Sequence, residues 1–205
     1  MLFDSPVMNA LNKAVNLVIL NLCFLLCCVP VVTAGAGLAA LYSVNLKMAR
    51  NEEAYIFRSY WKAFGENVKQ ATLCWLMVLA CGAVCLWNLR VIPQLPGWTR
   101  PALYAGTFVC GAVCMIEFLY VFPYLARFRD RLRVCLKNAL LIGGSRPGYT
   151  GTLILVGAAF LAFGIVSIEA PQLLFFWLTI GFALWGYVQA WILRKVFDRY
   201  EEPGR

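Results

Sequence analysis

Histidine is absent from the 205 residues of this chain. That removes the commonest general base and the commonest metal ligand. Acids are scarce as well, ten against 18 lysines and arginines. No H-E-x-x-H, P-loop or nucleophile-elbow spelling occurs. The usual acid–base, metal and nucleophile chemistries have few residues to draw on. We therefore expect a protein that is not an enzyme, with no catalytic, cofactor-binding or metal residues. Charge of either sign is also sparse, 14% of residues, where a soluble domain averages about 25%.

Apolar sequence fills the space. Hydrophobic residues make up 62% of the chain and mean hydropathy is +0.73. Residues 14–46, 70–89, 101–116, 147–168 and 170–193 contain no Asp, Glu, Lys or Arg. A bilayer core takes roughly 20 apolar residues of helix. A membrane-embedded backbone must satisfy its own hydrogen bonds, and these runs are continuous rather than alternating, so helices are expected and not a barrel. The reading is an all-α membrane protein, a bundle of five transmembrane helices near 11–32, 70–92, 101–125, 149–168 and 171–193. Together they form one integral membrane domain over residues 1–205, with cytoplasmic interfacial amphipathic helices near 34–50, 52–69 and 124–142.

The net charge of +8 would suggest nucleic acid as a partner for a soluble protein. Here its distribution points to a membrane instead. Segments 33–69 and 126–148 and the tail after 193 hold 15 of the 18 basic residues, leaving only Lys13, Arg90 and Arg100 for the other side. Positively charged loops stay cytoplasmic. With five spans, this predicts the N-terminus outside and the C-terminus inside. A cleaved signal peptide is disfavoured, because the leading region is long and starts without basic charge, and Pro30 sits where small residues should close the apolar core.

Gly35, Gly37 and Ala40 fit the dinucleotide spelling G-x-G-x-x-A. A fingerprint of that kind needs a strand before it, a helix after it and a ribose-binding acid about 20 residues on. A membrane span ending near Pro30 precedes it here, so a nucleotide site is not expected. The small residues instead suit a break at Pro30, a new helix capped by Thr33, and close packing through Gly35, Gly37, Ala39 and Ala40. Whether that helix re-enters the bilayer or lies on its surface is open at this level.

In 51–70, Asn51 can cap a helix with Glu52 and Glu53 in its first turn, and Phe57, Tyr60, Trp61, Phe64 and Val68 share one face. In 124–142, Leu125, Phe128, Leu132, Leu136 and Leu140 form a stripe beside Arg127, Arg129, Arg131, Arg133 and Lys137. Aromatic and basic residues at headgroup level describe helices that anchor on anionic lipid headgroups or dock a partner. Asn67 and Asn138 fall in similar places late in the two segments, a hint of internal duplication.

Glu117 lies inside the third span, where a carboxyl is costly and marks a candidate for proton, cation or polar-substrate contact. Packing near the inner interface, within reach of Arg127, is the simpler role. Asn16, Asn21 and Gln189 are further intramembrane polar groups suited to hydrogen bonds between helices. Nine cysteines are present, and Cys81–Cys85 and Cys110–Cys114 are identical CGAVC pentapeptides on consecutive spans. Four facing thiolates could hold zinc, but cysteine is also a small apolar residue, and close packing of Cys, Gly and Ala faces is the expected role.

Residues 29–72 resemble the YesL-like family of bacterial membrane proteins of unknown function. The resemblance is carried by Pro30, Thr33 and Gly35, then Ala39, Ala40 and Tyr42, then Trp61, Phe64 and Asn67. Trp61 stands where the family has Phe, and Ala36 where Pro is common. A second block, FPYLARF at 122–128 followed by LKNALLI, includes Arg127. The resemblance implies a bacterial inner-membrane protein associated with carbohydrate uptake, with permease subunits of a binding-protein-dependent (ABC-type) transporter, or further copies of itself, as partners. It brings no cofactor. The expected function is that of a non-catalytic accessory component. The alternative is an autonomous transporter of small solutes or lipids that uses Glu117.

Overall fold

The computed structural model describes residues 6–52, 55–128 and 130–201. Glu53 and Arg129, to which the sequence assigned helix-end and interfacial charge, lie outside the described residues. All regular structure among the described residues is helical: α1 Pro6–Cys28, α2 Ala34–Ala49, α3 Ile56–Val91, α4 Arg100–Arg127, α5 Leu132–Ser145, α6 Pro147–Glu169, α7 Pro171–Phe176 and α8 Phe182–Glu201. A short 3-10 turn, Val31–Thr33, precedes α2, and a π-helical stretch, Trp177–Gly181, joins α7 to α8. Among the described residues, six helical segments are long and apolar enough to cross a membrane, one more than expected, and the addition is Val31–Ala49.

That addition is the centre of the protein. The sequence leaves the 34–50 segment between an interfacial and a re-entrant helix; α2 packs against α1, α3, α4 and α8, and of its 16 residues only Ser43 and Lys47 escape burial. The reason lies in its small side chains. A Cβ added to Gly35 would stand 2.7 Å from the Ala71 carbonyl oxygen and collide with Trp75, so α3 can approach only where α2 has no side chain. Thr33 does not cap α2 through its hydroxyl. Its Oγ1 donates to the Cys27 carbonyl at 2.7 Å and closes the end of α1 instead.

A second correction concerns 52–69. This stretch is not a separate interfacial helix. It runs without a break into the next span, making α3 a single helix of 36 residues, about 54 Å long. No proline or terminating turn interrupts residues 56–91, and the Asn67 side chain merely donates to the Ala63 carbonyl one turn back. Nor does Asn51 start α3. It ends α2 in the left-handed conformation, φ 57°, with its N–H on the Met48 carbonyl and the Glu52 N–H on the Lys47 carbonyl. These two bonds form a Schellman closure, with Asn in the place usually taken by glycine.

The third interfacial helix, 124–142, is also divided. α4 continues to Arg127, the chain is extended at Phe128 and Arg131, and α5 begins at Leu132. The Tyr124 hydroxyl bridges the break, donating to Asp130 Oδ2 and accepting from Asn138 Nδ2, both at 2.7 Å.

α1 and α2 form a hairpin. Lys13 Nζ, early in α1, donates to Asn51 Oδ1 at 3.1 Å, while the Arg194 guanidinium donates to the Ala49 carbonyl. The early turns of α1 and the last turns of α8 therefore lie at the same end of the bundle. The hairpin turn sits against α3, where Trp75 Nε1 donates to the Val31 carbonyl at 2.9 Å. Trp75 is 16 residues, or about 24 Å, short of the far end of α3, so the hairpin stops well before the helices around it do.

Candidate functional site

Charge concentrates where the chain ends meet. Asp198 of α8 receives three guanidinium groups: Arg127 of α4 at 2.8 Å, Arg50 beyond α2 at 3.5 Å, and Arg194 one turn earlier in α8 at 3.5 Å. The Arg127 side chain is 6% exposed and that of Asp198 45%. The arginine is therefore held mostly out of water, its guanidinium 5.8 Å from the Phe128 ring centre and 5.6 Å from that of Phe197. A half-desolvated pair of this kind interacts more strongly than a surface pair. Arg127 does not pair with Glu117, the partner the sequence suggested for it; its carboxylate is Asp198.

A second polar group lies deeper. Asn21 of α1 is fully buried; its Nδ2 donates to the carbonyls of Trp177 and Leu178 at 3.0 and 2.9 Å, and its Oδ1 accepts from the Ala183 N–H at 3.0 Å. Trp177 and Leu178 lie in the π-helical stretch and Ala183 two residues beyond it. Asn21 therefore stabilises the widened turn. One layer nearer the charged end, the Tyr42 hydroxyl donates to Gln189 Oε1, and Asn45 Nδ2 donates to the Ala183 carbonyl at 3.2 Å. Asn45 Oδ1 and Gln189 Nε2 remain buried without a hydrogen-bond partner.

The remaining candidates are scattered. Pro30, Thr33 and Gly35 form the hairpin turn and its contact with Trp75. Trp61 and Phe64 lie on the leading turns of α3 in a ladder of edge-on rings, 6.1 Å from Phe57 to Trp61 and 5.7 Å from Trp61 to Phe64. Glu117 is half-buried in α4 beside Cys74 of α3, and its Oε2 has no hydrogen-bond partner. A cavity of about 700 Å³ lies between α4, α6 and the start of α8, lined by residues such as Phe24, Met115, Leu153, Phe160 and Trp185. Every residue lining it is apolar or glycine.

Asn45 and Asp198 were not singled out from the sequence, and Tyr42 only as part of the family resemblance. Tyr42 and Asn45 are polar residues one turn apart inside a charge-free run, which is a readable signal. Asp198 carries only the i, i+4 spacing to Arg194, because the rest of its role depends on Arg50 and Arg127, which are distant in the chain.

Residues 17–89 match the family described as "Protein of unknown function, DUF624". Two proteins of Bacillus subtilis (strain 168) are similar. "Uncharacterized protein YesL" is 24% identical over 139 residues, covering 67% of this chain and 64% of that one. "Uncharacterized protein YesV" is 30% identical over 114 residues, covering 56% of this chain and 52% of that one. The chain thus aligns with less than two thirds of either relative's length. No solved structure matches.

Proposed function

We propose that this chain, which belongs to the YesL-like DUF624 family, is a non-catalytic membrane component that docks through the charged end of its bundle onto a carbohydrate-uptake permease of the ABC type. One observation carries this reading. The first turns of α3 present an uncovered aromatic and basic face, with Phe57 61% and Trp61 38% exposed beside exposed Arg58 and Lys62. Exposed aromatic residues among basic ones mark contact surfaces. The class of partner comes with the family resemblance.

The orientation that goes with this places the charged end in the cytoplasm, since most basic residues outside the apolar runs lie there. Both ends of the chain are then cytoplasmic. The α1–α2 hairpin enters from that side and turns back inside the bilayer, a reading supported by its turn at Trp75, about 24 Å short of the far end of α3.

The apolar cavity bears on the alternative. A sugar needs several hydrogen-bonding side chains along its path, and the lining of this cavity supplies only the indole N–H groups of Trp177 and Trp185, the first of which is already bonded to Ser167. The unpartnered Glu117 oxygen is what favours an autonomous transporter.

The test is a tagged pull-down from native membranes in mild detergent, followed by proteomics. Recovery of a permease or ATPase subunit, lost when Phe57 and Trp61 are both replaced by alanine and thermal stability is retained, supports docking. Recovery of the chain alone, at a defined oligomer size, rejects it and leads to transport assays with Glu117→Gln.

A further inference from the structure

α3 and α4 run antiparallel, as the pairs Trp75–Phe118, Cys81–Cys110 and Asn88–Thr107 show. This register brings the two CGAVC pentapeptides face to face. Cys81 Sγ lies 3.3 Å from Cys110 Sγ, and the sulfurs of Cys81, Cys110 and Cys114 all fall within 4.8 Å of one another. Cys85 follows Cys81 by one turn on the same side of α3.

Close packing of small residues, the role expected from the sequence, does not explain this arrangement. A Cβ added to Gly82 or Gly111 would meet nothing within 4 Å. Ala83, Val84, Ala112 and Val113 are exposed. The small residues thus point away from the contact, and the sulfurs make it.

We propose that Cys81, Cys85, Cys110 and Cys114 form a thiol site for a soft monovalent cation of the cuprous class. Soft sulfur ligands select such ions. Charge decides between them and zinc. Four thiolates around a divalent ion leave a net charge of −2, which is costly among apolar side chains in a membrane. A monovalent ion held by one thiolate and neighbouring thiols is neutral. On binding, one S–H bond is exchanged for one sulfur–metal bond and the proton leaves to solvent. No electrons are transferred, and the ion stays monovalent. The site is independent of the docking face on α3.

The experiment uses the full-length chain in detergent, reduced and free of oxygen, titrated with Cu(I) in competition with bicinchoninate. One ion per chain is expected, with an ultraviolet sulfur-to-metal charge-transfer band. Cys81→Ser combined with Cys110→Ser should weaken binding at least about tenfold, while Cys23→Ser combined with Cys28→Ser should leave it unchanged. Equal binding by the first double variant, failure to draw Cu(I) from the competitor, or preference for Zn(II) overturns the proposal. If the first variant does not fold, X-ray absorption on the copper-loaded native protein decides: a sulfur-only coordination shell supports the site, and nitrogen or oxygen ligands reject it.

Discussion

Arg127 Nη2 stands 2.8 Å from Asp198 Oδ1, joining the end of α4 to the end of α8. The same carboxylate faces Arg50 and Arg194, so one acid ties together three parts of the chain that meet nowhere else in sequence. Replacing Asp198 by Asn keeps the shape and removes the charge. Hydrogen bonds to charged groups are worth about 1.5–3 kcal/mol, and the exposed half of Asp198 places the loss toward the lower end. We expect a lower melting temperature in detergent. An unchanged melting temperature would show that the cluster is a solvated surface group.

Asn21→Leu should destabilise the bundle at the π-helical turn. Three side-chain hydrogen bonds to the backbone are lost in an apolar setting, at a cost of about 1–3 kcal/mol. Thermal melting measures it, and hydrogen exchange should speed up locally around Ala183. A variant as stable as the native chain would mean that the turn reforms as ordinary α-helix without help.

Gly35→Ala and Gly65→Ala form a matched pair. At Gly35 the new methyl meets the Ala71 carbonyl and Trp75, while at Gly65 it meets nothing within 4 Å. Overpacking costs about 1–3 kcal/mol, whereas an alanine in an open helical position gains up to about 1 kcal/mol. Opposite shifts in melting temperature are expected. A harmless Gly35→Ala would remove the close α2–α3 approach from the fold.

Cys135 of α5 is fully buried, with Sγ donating to the Asp130 carbonyl at 3.5 Å, and burial pushes its thiol up to about 11. Only the thiolate reacts with alkylating agents. At pH 8 a shift of two units from the ordinary 9.0 leaves about a hundredfold less thiolate. The neutral form is favoured in the fold, so stability from this group is present below pH 9 and lost as pH rises towards 11. Peptide mapping after iodoacetamide at pH 8 should find Cys135 unmodified in micelles and modified after denaturation. Rapid labelling of the folded protein would show that the α4–α5 region opens.

Reporter fusions test the orientation. A cytoplasm-active reporter should work at either end of the chain, and a periplasm-active one at neither. A periplasmic N-terminus would reject the hairpin and restore five crossings.

Much of the helical architecture was readable because the bilayer sets simple demands. Long charge-free runs such as 147–168 and 170–193 can satisfy their backbones only as helices, and the CGAVC repeat was visible as letters. Tertiary structure decided which apolar helix is inside. Hydropathy measures partition out of water, and to that measure lipid and protein interior are alike. The burial of α2 came instead from shape, from glycines and alanines that let α1, α3, α4 and α8 close around it. The role of Asn51 was likewise undecided in sequence, since asparagine serves at either end of a helix, and only its left-handed φ shows that it ends α2. Asp198 depends most on the fold, because Arg194 is its neighbour along α8 but Arg50 and Arg127 come within 4 Å of it only once the chain has folded.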